Sequence, residues 1–150
     1  MRGLVVDSSE RLVLVRFDFP GRTVWATPGG GVERDETDED ALRRELREEL
    51  GLELAVPLGE PVWERTHAFP MTGWDGQAER FYLLRVEPFE ITPALGWEAL
   101  RSEGVGEIRW WTLDEIGAAS GAVFAPRLLH EHLARLLRTG AGPAAIDVGI

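Results

Sequence analysis

Residues 28–52 run from a Pro28-Gly29-Gly30-Gly31 turn through an acidic, leucine-phased stretch to Gly51, and no other segment restricts the fold so narrowly. The spacing predicts a helix over Thr37–Leu50. Thr37 is placed to cap its start, with Asp40 three residues on where a capping box wants an acid. Asp38, Glu39 and Asp40 complement the positive end of the helix dipole. Gly51 suits the left-handed residue just past a helix end. Leu42, Leu46 and Leu50 form an i, i+4, i+8 stripe that must face a core. At about 100° per residue, Glu49 falls beside that stripe, with Glu45 and Glu48 farther round.

Three carboxylates therefore share one patch at the edge of the buried face. Like charges at i, i+3 and i+4 cost roughly 0.2–0.5 kcal/mol per pair in an isolated helix, so the arrangement brings no structural gain. A divalent cation reverses the sign, since hard oxygen ligands suit Mg²⁺, with Mn²⁺ as a substitute. The plain alternative is a solvated acidic helix face. The wider pattern decides between them. From Gly30, five residues lead to Glu36, and seven more lead to Arg44-Glu45-Leu46-x-Glu48-Glu49-x-Gly51-Leu52. This resembles the Nudix box, the signature of hydrolases acting on nucleoside diphosphates linked to another group, and each of its fixed positions is matched.

The resemblance implies an α/β fold, a Nudix-type α/β/α sandwich with a mixed β-sheet. It implies that Glu45 and Glu49 are principal metal ligands, with Glu48 a further ligand or the base that activates water. The carbonyl of Gly29 maps onto another ligand. Arg44, four residues before Glu48, is read as orienting the carboxylates by charge-assisted hydrogen bonds, the alternative being substrate contact. Glu36 is read as a loop brace. One more acidic ligand comes from outside the box in this family. Residues 91–106 offer Glu98 and Glu103, with Glu107 at the next strand's edge, and Glu103 before Gly104 is the first choice.

The rest of the chain is read as an alternation of elements. Arg2–Asp7 and Arg11–Phe17 form a hairpin, Thr23–Thr27 is extended, and Leu52–Val56 and Val62–Phe69 are candidate strands. Residues 71–78 read as a loop, Glu79–Val86 as a strand, and residues 91–106 as a long irregular loop. Ile108–Thr112 is a strand, Leu113–Ala118 a short helix, and Pro126–Arg138 an amphipathic helix with Pro126 in its first turn. Residues 1–139 form a single domain at this length, and 140–150 a tail with an apolar end that can pair.

Composition narrows the partners. A net charge of −10, with all sixteen basic residues arginine, argues against non-specific nucleic-acid or membrane binding. No apolar run approaches the roughly 18 residues of a membrane span, and there is no signal-peptide pattern at the N-terminus. Without cysteine the cytoplasm is the expected compartment. The expected partner is a small nucleotide or nucleoside diphosphate derivative; a homodimer is left open. Trp74 and Trp97, one in each loop, are candidates to stack a base, with Trp25 held in reserve. Arg16, Arg65 and Arg80 are candidates to contact phosphates or else plain strand residues. Substrate markers of particular Nudix branches are missing. The proline of ADP-ribose hydrolases would fall at His67, and the tyrosine of dinucleoside-polyphosphate hydrolases lies beyond it, whereas the sole tyrosine is Tyr82. The small size and single domain are compatible with a compact nucleoside-triphosphate pyrophosphohydrolase. The alternative is a catalytically silent Nudix-like module that binds or senses nucleotides, against which the intact carboxylate set argues.

Overall fold

The computed structural model describes residues 1–68 and 76–150. Its strands are β1 (Arg2–Asp7), β2 (Leu12–Phe19), β3 (Arg22–Ala26), β4 (Trp63–His67), β5 (Gln77–Val86), β6 (Val105–Trp111), β7 (Phe124–Ala125) and β8 (Ile146–Asp147). The helices are α1 (Asp38–Leu50), α2 (Trp97–Ser102), α3 (Leu113–Ala118) and α4 (Leu129–Thr139). The sheet is mixed, in the order β7-β3-β2-β1-β5-β4-β8, with β6 pairing β2 off that path. β1 runs parallel to β5 from Arg2–Phe81 to Asp7–Val86. It meets β2 only at Val6–Leu12, and at its other end Arg2 bridges to Gly29. The sheet therefore curls into two halves that β1 joins at both of its ends.

Alternation along the central strands explains the layers. Leu4, Val6, Leu12, Leu14, Trp63 and Phe81 face one way, where Ile116 of α3 and Leu129, Leu133 and Leu136 of α4 cover them. Val5, Val13, Val15, Tyr82 and Leu84 face the other way, under Leu42, Leu46 and Leu50 of α1 and Leu100 of α2. Period-2 strands buried on both faces have to be sandwiched between helices. Gly3 sets how closely α1 lies on the sheet: a Cβ there would sit 3.3 Å from Leu84 and 3.4 Å from Leu46. Complete burial of each α1 leucine contributes about 1.5–3 kcal/mol.

Several expectations need correction. Residues 52–56 form no strand: Leu52 and Leu54 pack on the α1-side core, while Arg43 takes the carbonyls of Leu54 and Val56, so the segment is pinned to the helix. Residues 91–106 hold α2 and the start of β6, because Leu100 has the second core to bury itself in. Pro126 lies before α4, which begins at Leu129. The tail supplies β8, parallel to β4 at Trp63–Ile146 and Glu64–Asp147. Among the described residues no helix is long and apolar enough to cross a membrane.

Candidate active site

The glycine turn and α1 interlock. Thr37 caps the helix with a complete capping box through Asp40, and Gly51 closes it at φ 68°. Gly29 adopts φ 133°, and a Cβ there would collide with the Met1 carbonyl and lie 2.9 Å from the Arg2 Cα. At Gly30 a Cβ would lie 2.7 Å from the carboxyl carbon of Glu45, so Glu45 rests directly on the turn's backbone. The Gly29 N–H donates to Oε2 of Glu49 at 2.9 Å. Glu49 is 6% exposed. Burial, reinforced by the charges of Glu45 and Glu103, pushes its carboxyl up to about 8, while the Gly29 N–H and Arg2 pull the other way.

Arg44 organises the outer side. Its Nε donates to Oε1 of Glu36 at 2.9 Å and its Nη1 to Oε1 of Glu45 at 2.8 Å. Nη2 reaches Oε2 of Glu36 at 3.1 Å and the Gly31 carbonyl at 3.3 Å, and Glu48 stands 3.6 Å from Nη1. The Arg44 bond holds Glu36 down to about 2, helped by the Glu33 N–H. One guanidinium thus ties the turn, the loop brace and two carboxylates into a single unit.

The third wall comes from residues 92–95. The N–H groups of Thr92, Ala94 and Leu95 donate to the carbonyls of Leu50, Arg47 and Glu48 at 3.0, 3.2 and 3.1 Å. These satisfy carbonyls that a helix end leaves without partners, and they dock α2 beside α1. Glu103, the residue after α2, is thereby brought close enough for Glu49 to feel its charge. Glu107, by contrast, is taken by Arg16 at 2.8 Å.

Among the described residues, no three His, Cys, Asp or Glu side chains converge tightly enough to form a finished metal cage. Glu45 is turned to Arg44 and Glu49 to Gly29. The donor set nevertheless fits a hard divalent cation. A buried carboxylate repelled by two others, with only the Gly29 N–H and Arg2 opposing, calls for further positive charge before it ionises, and Glu48 stands at the same patch. The Gly29 carbonyl accepts from Arg2 at 3.0 Å, which uses one of its two lone pairs.

Among the described residues, those expected to meet substrate do not gather at one place. Arg16 bridges Asp18 and Glu107. Arg65 pairs with buried Glu79. Arg80 forms two 2.7 Å bonds to Asp38, which also accepts from Tyr82. Each of these arginines is thus committed to a carboxylate, and Arg80 ties the start of α1 to β5. Trp97 opens α2 at 36% exposed, with Arg101 over its ring. Trp25 is buried edge-on against Trp111, which ill suits it to stack a base. Trp74 lies outside the described residues. Sequence reading missed Arg2 and Glu79, although a signal was present: Glu79 is in phase with core-facing Phe81, Arg2 with Leu4, and Arg65 with Trp63.

Comparison with known proteins shows the family. An RNA pyrophosphohydrolase from Sulfurovum sp. (strain NBC37-1) is 42% identical over 88 residues, covering 54% of this chain and 54% of that protein. The nucleoside triphosphatase NudI of Enterobacter sp. (strain 638) is 46% identical over 66 residues, covering 44% and 45%. The chain thus spans about half the length of the curated relatives it matches. The crystal structure of a MutT protein from Methanosarcina mazei Go1 shares the fold at a TM-score of 0.66 and 20% identity, covering 92% of this chain and 93% of that one. The family model described as the NUDIX domain matches residues 2–132, and the chain belongs to the Nudix family.

Proposed function

We propose that this chain is a Mg²⁺-dependent hydrolase that cleaves a pyrophosphate bond in a nucleoside diphosphate linked to another group, its substrate being a nucleoside triphosphate or similar small nucleotide. The observation that carries this reading is Glu49, buried, seated on the Gly29 N–H and flanked by Glu45 and Glu103. A structural helix has no use for such a residue, whereas a cation-binding one does. The relatives' names, an RNA pyrophosphohydrolase and a nucleoside triphosphatase, describe chemistry of the same bond class.

Cleaving a phosphoric anhydride is mainly a matter of positioning and of neutralising charge on the leaving phosphate. Bound Mg²⁺ would supply that neutralisation and acidify the attacking water. Glu45, Glu49, Glu103 and the Gly29 carbonyl would hold it. Glu48, on the exposed side of the patch beside Arg44, is free to take a proton from water. Arg44 keeps Glu45 against the turn. The glycines let the backbone come close to phosphate oxygens without a side chain between them.

The test is a panel of nucleoside triphosphates, nucleoside diphosphate derivatives and a 5′-triphosphorylated oligonucleotide, assayed with Mg²⁺ or Mn²⁺ for released phosphate or pyrophosphate. Turnover of at least one small nucleotide, abolished by chelator, is expected. Binding without turnover across the whole panel would leave a silent nucleotide-binding module, and turnover in excess chelator would remove the metal from the mechanism.

A further inference from the structure

On the face of the sheet under α3 and α4, charged side chains stand in the core-facing phase at two places: Arg16, Glu107 and Arg109 on β2 and β6, and three more on the adjacent strands β1, β5 and β4. Arg2 on β1, Glu79 on β5 and Arg65 on β4 follow the alternation of Leu4, Phe81 and Trp63, and Glu79 and Arg65 are register partners. Glu79 is 4% exposed. Arg2 Nε donates to its Oε1 at 2.7 Å, and Arg65 Nε to its Oε2. Burial alone would raise the Glu79 carboxyl, yet the two arginines hold it below its ordinary value. The other end of the Arg2 guanidinium grips the glycine turn, donating from Nη1 to the carbonyls of Gly29 at 3.0 Å and Thr27 at 3.3 Å. Between them the Pro28 carbonyl accepts from the Gly3 N–H at 2.8 Å.

A purely stabilising role explains this poorly. Buried ion pairs are often no better for stability than the apolar residues that would fill the same space, and the neighbouring in-phase positions of these strands hold Leu4, Phe81 and Trp63. What the charges add is direction. A planar fork braced on one side and bonded to two backbone carbonyls on the other fixes how the turn lies. That turn presents the Gly29 N–H to Glu49.

We infer that Arg2, braced by Glu79 and Arg65, is a positioning residue: it clamps Gly29 in the orientation that seats Glu49 and readies the turn for the cation. The parts concerning metal and turnover rest on the function proposed above; the clamp itself does not.

Three variants separate the clamp from its rivals: Arg2→Ala, Arg2→Lys, which keeps the charge but loses the fork, and Glu79→Gln, which keeps the shape but loses the brace. In metal-free protein, amide exchange at Gly29, followed by NMR, is expected to rise about tenfold in all three while Leu46 in α1 stays protected. Mn²⁺ affinity, measured by calorimetry, is expected to fall about tenfold in both Arg2→Ala and Glu79→Gln. Should a nucleotide substrate be found, kcat falls by a similar factor with KM within about twofold. A pure charge effect predicts opposite signs, Arg2→Ala tightening Mn²⁺ and Glu79→Gln loosening it, and that result would overturn the inference. So would unchanged Gly29 exchange, or faster exchange with Mn²⁺ affinity intact. If the wild type neither binds Mn²⁺ nor hydrolyses any nucleotide, the proposed function fails while Gly29 exchange still decides the clamp.

Discussion

Two arginine-centred networks grip the same glycine turn from opposite sides, and they differ in almost everything else. Arg44 works on the solvent side, 22% exposed, and its partners Glu36, Glu45 and Glu48 lie within eight residues of it. Arg2 works from inside the sheet, and its partner Glu79 is 77 residues away. The first is a local device written on one helix and its entry loop. The second exists only once β1, β4 and β5 have paired. The contrast teaches how function and stability divide around one site. A network whose carboxylates still reach water holds geometry at little energetic consequence, whereas one closed around buried Glu79 couples geometry to the stability of the sheet.

The sharpest way to test that division is at the carboxylate between the networks. Glu49→Gln should lose turnover by several orders of magnitude, since the amide cannot ligate a cation as a carboxylate does. The fold should survive, because Gln keeps the shape, can accept the Gly29 N–H and carries no charge to bury. Steady-state rates alongside thermal unfolding check both halves. A variant turning over near the wild-type rate would mean that Glu49 is only a buried helix residue.

The two networks themselves should separate next. Glu79→Ala leaves Arg2 and Arg65 buried without their shared partner, and we expect a loss of about 3 kcal/mol in urea unfolding. Arg44→Ala frees carboxylates that reach water, and we expect a loss within about 1 kcal/mol together with a large fall in kcat. Equal stability losses would break the comparison.

How much of this was legible in the sequence follows the same line. The α1 cap at Thr37, the stop at Gly51, the buried face of Leu42, Leu46 and Leu50 and the position of Glu49 are all consequences of helical phase, and the structure has them. Arg44 bonding its neighbours is local as well. Leu52–Val56 was misread because a strand needs a partner, and composition does not say whether one is available. The α2 helix was missed because it is short and has no side-chain cap at Gly96, and because Leu100 finds its burial only once the α1-side core has assembled. The Arg2–Glu79–Arg65 cluster is the instructive miss. Its phase was visible in each strand, but charged residues in a strand read as solvent-facing until the partner strands are known.

Acidity offers a further probe of the inner side. With chelator present, Glu49 in the folded chain keeps its proton up to about 8, whereas the unfolded chain releases it near the ordinary glutamate value of 4.5. Between those values the folded state binds more protons, so stability falls as pH rises through the window. We expect the wild type to lose roughly 3–4 kcal/mol relative to Glu49→Gln between pH 5 and pH 8, and Mg²⁺ to restore it by binding the ionised form. Measuring the difference between the two proteins cancels the groups they share. A flat difference would show that Glu49 ionises freely, and the buried half of the comparison would lose its main member.

The smallest effect expected belongs to a residue outside both networks. Trp97 begins α2, which the Leu95–Glu48 hydrogen bond fastens to the end of α1, and it is among the more exposed large apolar residues. The ring is thus carried by an element fastened to the helix that bears the carboxylates, and no bond that builds their network involves it. Stacking on a base contributes roughly 1–3 kcal/mol by alanine substitution, and the lower end suits a ring already shared with Arg101. Trp97→Ala should therefore raise KM for a nucleotide by about fivefold with kcat nearly unchanged. Stability should move within about 0.5 kcal/mol, as for other surface substitutions. That pattern would extend the rule that exposed groups here govern function without governing stability. A lowered unfolding midpoint with KM unchanged would reverse it: the ring would belong to the packing of α2, and the base would have to be held elsewhere.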